Sequence, residues 1–283
     1  GKTARMFRLA LTAPIAALVM TAAMPAFAAD TKLKAAVADP TRGAEHRARD
    51  AHRHPTETLT FWGLKPKQTV IEVSPGAGYW TEILSPYAKA TGGRYVAGVA
   101  DLDNPKLSAG AKKGRADFEA KYADGRFGPV AYTNFGPVAK PLGAPASADL
   151  VITARNIHNF MYQEGMLEKS MKDFYAVLKP GGVLGVEEHR ADPRPQVTGV
   201  TDGYVGVATV VAAAEKAGFK LAARSEANAN PKDTKDHPFG VWTLPPVRRS
   251  APAGQPANAA FDRTKYEAIG ESDRMTLRFV KPR

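Results

Sequence analysis

The chain has 283 residues, a formal net charge of +11 and no cysteine. Its 44% hydrophobic and 24% charged residues are typical of a globular protein, and its length suits one large domain or two small ones. The lack of cysteine excludes disulfides, thiolate zinc sites and a cysteine nucleophile. The basic clusters contain no interleaved aromatic residues, so they are predicted to be solvated helix faces, and nucleic acid is not expected as a partner. These clusters are Arg42, Arg47, Arg49 and Arg53, and Lys112, Lys113 and Arg115.

The first 28 residues have the pattern of a cleavable secretory signal peptide. Three basic residues precede an apolar run over 9–23, and a small-x-small sequence ends at Ala28. The run is too short to span a bilayer stably. We therefore expect a mature chain that begins near Ala29, lies in the periplasm or outside the cell, and keeps no stable membrane anchor. A retained membrane or amphipathic anchor is the alternative.

Residues 29–63 are predicted to form a helical cap before the first strand. Two short helices are expected within 39–63, separated at His54-Pro55 because a residue before proline disfavours the helical region. The second helix, 56–62, is expected to bury Leu59 and to end at Gly63. Such a cap lies over the ligand site or serves only for packing.

A buried strand, a glycine corner and a helix follow. Residues 69–73 are mostly apolar and β-branched around Glu72, and residues 79–90 carry apolar side chains at helical spacing. Ligands of open α/β sheets bind beyond the carboxyl ends of the strands, where Gly76 and Gly78 let the backbone approach a ligand closely. The acid at Glu72 favours a cationic or hydroxyl-bearing ligand over a bare phosphate. The alternative is an ordinary strand-to-helix corner.

The corner lacks the residues of two common nucleotide motifs. A P-loop needs a Lys-Ser/Thr pair after the second glycine, where Tyr79 and Trp80 stand. A dinucleotide fingerprint needs a third glycine three residues after Gly78, where Thr81 stands. The corner therefore indicates a nucleotide-like ligand without a pyrophosphate.

Six further strands are predicted, over 94–100, 130–133, 149–154, 183–187, 219–224 and 275–280. Helices are predicted over 79–90, 105–123, 164–178 and 205–217. This alternation predicts one α/β domain over 64–283, a Rossmann-like, seven-stranded and mostly parallel sheet with helices on both faces. The segment 227–263 is rich in Pro, Asn and Ala and too long for an ordinary connection, which predicts an insertion that forms a lid or a partner surface.

Polar side chains follow several of these strands. Asp101 follows the second strand, from which α/β nucleotide sites hydrogen-bond ribose hydroxyls. The alternative is that Asp101 or Asp103 caps the next helix. Residues 155–160 and 187–190 are dense in polar side chains and are expected at the same edge of the sheet.

Taken together, these motifs resemble those of class I S-adenosylmethionine-dependent methyltransferases over residues 56–283. Within that superfamily the chain is most similar to a group of exported, uncharacterised predicted methyltransferases. Three motifs in order carry the resemblance: Arg-His-Pro-x-Glu-x-Leu-x-Phe over 53–61, Ser-Pro-Gly-x-Gly-Tyr over 74–79, and Arg-Asn-x-His-Asn over 155–159. The resemblance implies that the last strand is antiparallel. One departure is Ser74-Pro75, where the superfamily usually has glycine.

The resemblance also implies a cofactor, S-adenosylmethionine, across the first, second and fourth strand tips. The methionine part is expected against Glu72 and the backbone of Ser74, Gly76 and Gly78. Asp101 is expected to bind the ribose hydroxyls, with Asn134 and Phe135 beside the adenine. Arg155, Asn156 and His158 are expected to flank the reacting methyl group.

The chemistry expected is methyl transfer to a small molecule of unknown identity. His158 and His189 are the candidate general bases, because both lie at strand tips on the cofactor side; structural histidines are the alternative. Glu188 and Arg190 are expected either to orient the substrate or to pair with each other. No His-x-x-x-His spacing is present, so no metal is expected. The rival functions are an exported binding or scaffold protein that keeps the fold and, third, a nicotinamide oxidoreductase; the sequence does not predict the oligomeric state.

Overall fold

The structure is a computed structural model that describes residues 30–196 and 201–283. The predicted signal peptide, 1–28, lies outside the described residues. Within the described ranges, none of the helices combines the length and the apolar character that a membrane crossing needs.

Within residues 30–196 and 201–283, seven strands form one sheet in the order β3-β2-β1-β4-β5-β7-β6. Neighbouring strands are parallel except at β7, which runs antiparallel to β5 and to β6. The predicted Rossmann-like seven-stranded sheet with an antiparallel last strand is therefore confirmed. The strands are β1 (Thr69–Val73), β2 (Arg94–Ala100), β3 (Ala131–Phe135), β4 (Ala148–Ala154), β5 (Leu178–His189), β6 (Lys220–Ser225) and β7 (Arg274–Val280).

Helices cover both faces of the sheet and create two apolar clusters. One cluster joins β4, β5 and β7 to α8 and α9 through residues such as Phe174 and Val210, and the other joins β1 and β2 to α1, α4 and α5. Since β1 and β4 are covered on both faces, they are almost continuously apolar, as a central parallel strand should be. The helices are α1 (Thr31–Ala38), α2 (Ala44–Arg47), α3 (Asp50–Arg53), α4 (Pro55–Phe61), α5 (Thr81–Thr91), α6 (Ala109–Tyr122), α7 (Ile157–Phe160), α8 (Met166–Val177), α9 (Val207–Ala217) and α10 (Thr264–Ile269).

Helix α6 begins four residues later than predicted, and neither Asp101 nor Asp103 caps it. Ser108 is the N-cap, and its hydroxyl accepts a hydrogen bond from the amide of Ala111. The carboxylate of Asp101 instead accepts the amide of Asp103 at 3.0 Å, which closes a turn directly after β2.

The cap contains a helix that the sequence analysis missed. In α1, Asp30 caps the first turn, and Leu33 and Ala36 are buried against α5. The hydroxyl of Tyr87 on α5 donates to the same Asp30 carboxylate at 2.6 Å. An aspartate followed by apolar residues at this spacing is a helix-start signal that was available in the sequence.

The prediction that the first basic cluster is a solvated helix face is wrong for two of its arginines. Arg42 is 1% exposed and makes a bidentate contact with Asp50, with both N to O distances at 2.8 Å. Arg53 is 3% exposed and its Nε donates to Glu271 at 2.9 Å. Arg47 is exposed, as predicted. Buried guanidinium groups of this kind are held by paired carboxylates.

Candidate functional site

A cavity of about 710 Å³ lies at the carboxyl ends of β1 and β4. Its walls come from three parts of the chain: the cap, including Arg49 and Arg53; the strand tips; and residues 241–248 of the predicted insertion. The tip of β5 and the start of β7 complete the wall with His189 and Arg274. The cap and the insertion therefore enclose the position at which an α/β sheet binds its ligand.

The structure brings seven of the predicted site residues together around this cavity. The lining residues among them are Glu72, Ser74, Gly76, Arg155, Asn156, His158 and His189. The other four do not line it. They are Gly78, Asp101, Asn134 and Phe135.

The departure from glycine at Ser74 is accommodated by the fourth strand tip. Ser74 has a φ of 52°, a left-handed conformation that costs energy for a residue with a Cβ. Its amide donates to Gly98 at 2.8 Å, and its carbonyl accepts the side-chain amide of Asn156 at 3.1 Å. Asn156 therefore supports the corner directly, in addition to lining the cavity.

The two glycines of the corner have different reasons to be glycine. A Cβ on Gly76, which has a φ of 59°, would meet nothing within 4 Å, so this glycine leaves its side of the cavity open. A Cβ on Gly78, at a φ of 92°, would lie 1.8 Å from the hydroxyl of Tyr122. That hydroxyl donates to Glu82 at 2.6 Å. The close approach at Gly78 is therefore to a protein side chain.

Glu72 is buried at the end of β1 and reaches the cavity. Burial raises the pKa of Glu72 from its usual 4.5 to about 7, although hydrogen bonds from neighbouring hydroxyls oppose the change. One of these is the hydroxyl of Tyr95, 2.7 Å from Oε1. A carboxyl group poised in this way becomes charged more readily when a cationic ligand lies beside it.

The residues predicted for the adenosine part of the cofactor lie at the tips of β2 and β3. Asp101 is 3% exposed, and its Oδ2 has no hydrogen-bond partner among the described residues. Asn134 bridges Arg115 and Asp103 through its side-chain amide. Phe135 packs against Phe160 in the core. Asp101 thus keeps one carboxylate oxygen available, while Asn134 is engaged with protein groups.

Glu188 organises the tips of β4 and β5. Its carboxylate accepts the backbone amides of His158 at 2.6 Å and of His189 at 2.8 Å, and it lies 2.9 Å from Nδ1 of His158. An ionised carboxylate only accepts hydrogen bonds, so Nδ1 of His158 is the protonated nitrogen and Nε2 is left as the acceptor. The expectation that Glu188 pairs with Arg190 is wrong, because Arg190 binds Asp273 and Glu226.

His189 is the second histidine of this tip, with its ring centroid 5.3 Å from that of His158. Burial lowers the pKa of His189 well below its usual value, and the positive charge of Arg274 acts in the same direction. Its Nδ1 lies 2.5 Å from the hydroxyl of Ser272. His189 is therefore a neutral imidazole near pH 7, which suits hydrogen bonding to a ligand.

Ligand atoms of His158, Glu188 and His189 lie within 4.8 Å of one another, the spacing that a metal site needs. The sequence analysis did not expect a metal because no two histidines have the spacing of a helix-borne pair, although these three residues come from two neighbouring strand tips. However, both oxygens of Glu188 already accept N–H groups, and Nδ1 of His158 donates to it. A metal ion bound through Glu188 would have to compete with these hydrogen bonds.

Four arginines surround one end of the cavity, a feature that the sequence analysis did not predict. Glu271 contacts three of them: Arg49 at 3.2 Å, Arg53 at 2.9 Å and Arg274 at 2.7 Å. Burial raises the pKa of Glu271, but the guanidinium groups of Arg274 and Arg53 reverse this and lower it to about 2. Arg155 is the fourth arginine, and it makes no ion pair among the described residues. In the sequence, the one available indication of this arginine cluster was Arg53, the first residue of the Arg-His-Pro motif.

Comparison with known proteins supports the fold. No protein-family model matches the chain, and no curated protein matches it. Among solved structures, it is similar to the [4+2]-cyclase SpnF, at 14% identity over 82% of each chain with a TM-score of 0.52. It is also similar to a candidate sarcosine dimethylglycine methyltransferase from Galdieria sulphuraria, at 10% identity over 84% of this chain and 88% of that one, with a TM-score of 0.50.

A SAM-dependent methyltransferase from Aquifex aeolicus matches at 20% identity over 63% of this chain and 86% of that one, with a TM-score of 0.48. At such identities the likeness concerns the fold alone, which is that of the class I methyltransferases. Because one of these similar structures is a [4+2]-cyclase, the fold alone does not determine the reaction.

Proposed function

We propose that this chain, which has the class I methyltransferase fold, is an S-adenosylmethionine-dependent methyltransferase that acts on a small molecule. The observation that carries the proposal is the cavity at the tips of β1 and β4, which is lined by Glu72 and Gly76 from the β1 tip and by His158 from the β4 tip. A donor methyl group and an acceptor held next to each other in this cavity meet the main requirement of an in-line displacement, which is their alignment.

The donor is proposed to bind along the first two strand tips. Glu72 takes the ammonium group of the methionine part, a role that its raised pKa of about 7 suits because a cation restores the charged form. The backbone of Ser74 and Gly76, which line the cavity, follows the same part of the donor. The remaining oxygen of Asp101 accepts from a ribose hydroxyl, and Asn134 and Phe135 border the adenine.

The proton is proposed to leave through His158. Nε2 of His158 accepts the proton of the acceptor's O–H or N–H group as that atom attacks the methyl carbon. The bond from carbon to sulfur breaks with its electron pair going to sulfur, which leaves S-adenosylhomocysteine. Glu188 then stabilises the imidazolium through Nδ1. His189 and Asn156 orient the reacting groups.

The testing experiment is calorimetry of residues 29–283 with three ligands, S-adenosylmethionine, S-adenosylhomocysteine and NAD. We expect the first two to bind and NAD not to bind, and Asp101→Asn to weaken both by about tenfold through loss of the ribose contact. Binding of NAD alone would indicate an oxidoreductase. Binding of none of the three would indicate a binding or scaffold protein that keeps the fold.

We also propose that the protein works after export, as the resemblance to exported methyltransferases suggests. The support is the charge and apolar pattern of residues 1–28. Expression of the whole chain in a bacterium, followed by sequencing of the amino terminus of the periplasmic form, tests this. A mature terminus near Ala29 is expected, and recovery of the uncleaved chain in the cytoplasm would contradict it.

A further inference from the structure

Arg155, directly after β4, combines a left-handed backbone conformation with a guanidinium group that has no partner in the described residues. Its backbone has a φ of 59° and is held by a hydrogen bond from its amide to the carbonyl of Glu187 at 2.7 Å. Arg155 lines the cavity, and its guanidinium makes neither a hydrogen bond nor an ion pair with another described residue. Its Nε is fully buried and without a partner. A buried donor without a partner costs stability, which calls for an explanation in terms of a ligand.

The acids near Arg155 make no ion pair with it among the described residues, and both oxygens of Glu187 are buried without a hydrogen-bond partner there. Glu271 is shared by Arg49, Arg53 and Arg274. The carboxylate of Glu187 lies 3.6 Å from Arg274, and burial raises the pKa of Glu187. Four guanidinium groups therefore share two carboxyl groups, one of which resists ionisation. This end of the cavity carries excess positive charge.

Burial, together with the charges of Arg53 and Arg274, lowers the pKa of Arg155 to about 9. Arg155 is thus still a cation at neutral pH, and a bound anion would relieve both its desolvation and the repulsion from its neighbours.

The charges that act most strongly on Arg155 belong to Arg53, Arg274, Glu271 and Glu187, which lie in the cap, at the end of β5 and around the start of β7. Arg155 also interacts electrostatically with Glu72 of the proposed donor site. The donor's ribose and adenine are expected on the β2 side. The wall of the same cavity also contains Trp242, whose ring centroid is 6.1 Å from that of His158, and the segment Pro245-Pro246, which are apolar.

We propose that Arg155 binds a carboxylate of the methyl acceptor, and that the acceptor is an acid with an apolar, ring-sized body that packs against Trp242. A guanidinium and a carboxylate match in planar, two-point geometry, which makes this pair the strongest available at such a position. The carboxylate serves as a handle and places the nucleophilic atom beside His158. The identification of the bound acid as the methyl acceptor rests on the proposed function. The anion site at Arg155 does not depend on it.

The experiment compares benzoate with benzamide, its neutral isostere, by calorimetry or saturation-transfer NMR at fixed ionic strength. We expect benzoate to bind the wild-type protein at least tenfold more tightly than benzamide. Arg155→Met is expected to weaken benzoate binding at least tenfold and to leave benzamide unchanged. The control is Arg126→Met, which removes one equal charge from an exposed arginine outside the cavity that pairs with Asp124.

Thermal unfolding of Arg155→Met gives a second readout. A structural arginine would lower the melting temperature on removal, whereas an unpaired arginine kept for a ligand should raise it. Equal binding of benzoate and benzamide, no detectable binding of benzoate, or unchanged benzoate binding by Arg155→Met would each overturn the inference.

Binding of S-adenosylhomocysteine, measured on the same samples, keeps the two proposals apart. If Arg155→Met abolishes binding of S-adenosylhomocysteine and leaves benzoate binding intact, Arg155 holds the methionine carboxylate of the donor, and the acceptor inference is wrong while the proposed function stands. If the wild-type protein binds benzoate through Arg155 but binds neither donor compound, the anion site stands and the proposed function fails.

Discussion

Glu188 determines what His158 does, because three hydrogen-bond donors converge on its carboxylate. Two of them are the backbone amides of His158 and His189, one on each oxygen, and the third is Nδ1 of His158. The carboxylate therefore fixes both the position and the tautomer of the histidine. This role is positional, since Glu188 itself does not line the cavity.

Glu188→Gln tests this arrangement. Whichever way the new amide points, its NH2 group faces a backbone N–H, so we expect the free energy of unfolding to fall by about 1–3 kcal/mol. We also expect His158 to lose its fixed Nδ1–H tautomer, as read from the ring nitrogens by NMR. Glu164→Gln, at an exposed position, is the control and should change stability by no more than about 0.5 kcal/mol. A fixed tautomer in Glu188→Gln would contradict this role.

Glu72 gives a prediction of pH dependence. Burial raises its pKa to about 7 in the folded protein, whereas in the unfolded chain the pKa has its usual value of 4.5. Between pH 4.5 and pH 7 the folded state therefore binds more protons than the unfolded state. Stability contributed by the protonated group is thus lost as pH rises from 4.5 through 7, by about 3 kcal/mol in total. Glu72→Gln should therefore be more stable than the wild type at pH 8 and similar to it at pH 4.

The same substitution should weaken binding of S-adenosylmethionine at pH 8, because the ammonium group loses its carboxylate. Urea unfolding at several pH values, with calorimetry on the same samples, measures both effects. A difference in stability that does not change between pH 4 and pH 8 would show that Glu72 has the same pKa in the folded and unfolded states, and would contradict the prediction.

For individual residues, the sequence predicted several of the side chains that lie together at the site. It did not predict the contacts that each of them makes. Glu72, Gly76 and His158 were found from the strand-tip rule and the resemblance. The contact of Gly78 with Tyr122 joins residues 44 positions apart, and the sharing of Glu271 among arginines joins the cap to residues near β7. No local pattern encodes such long-range contacts.

Among the elements, the predicted insertion 227–263 is tied to the domain by several side chains, and Asn228 is the one that reaches both the cap and the sheet. Its amide nitrogen donates to the hydroxyls of Thr58 on α4 and Thr276 on β7, at 3.0 and 2.8 Å. Its Oδ1 lies 3.0 Å from Nδ1 of His54. Asn228 thus joins the cap, the sheet and the insertion behind the cavity.

Asn228→Ala should loosen all three elements. The loss leaves two buried hydroxyls and one imidazole nitrogen with fewer partners, so we expect destabilisation of about 2–3 kcal/mol in urea unfolding. Asn258→Ala, an exposed asparagine of the same insertion, is the matched control and should lie within about 0.5 kcal/mol of the wild type. Equal effects of the two substitutions would show that Asn228 carries no special linkage.

Element prediction succeeded where one physical signal dominated. The bounds of β1 and β2 are as predicted, because both are short, buried, apolar runs. Strand β3 extends to Phe135, two residues further than predicted, since Asn134 and Phe135 read as a turn although they pair with Val99 and Ala100. Edge strands are half exposed and carry a weaker apolar signal.

Across the whole molecule, burial is distributed unevenly, and local stability should follow it. Residues 150–152 of β4 are fully buried at the centre of the sheet, whereas residues 252–260 are exposed and belong to no helix or strand. In native-state hydrogen exchange we expect the amides of β1, β4 and β5 to exchange slowest and those of 252–260 fastest. Slow exchange over 252–260 would indicate that this stretch is covered in solution.

The position of β7 between β5 and β6 has a consequence for the order of assembly. Strand β6 meets no other strand of the described sheet than β7, which follows it in the chain by almost 50 residues. A nascent polypeptide that ends at residue 225 therefore contains β6 but not β7, the strand with which β6 pairs. It also lacks Glu271 and Arg274. The ribosome must deliver residue 280 before this edge of the sheet can close, so a chain truncated after 270 is expected to be captured by chaperones rather than to form the cavity.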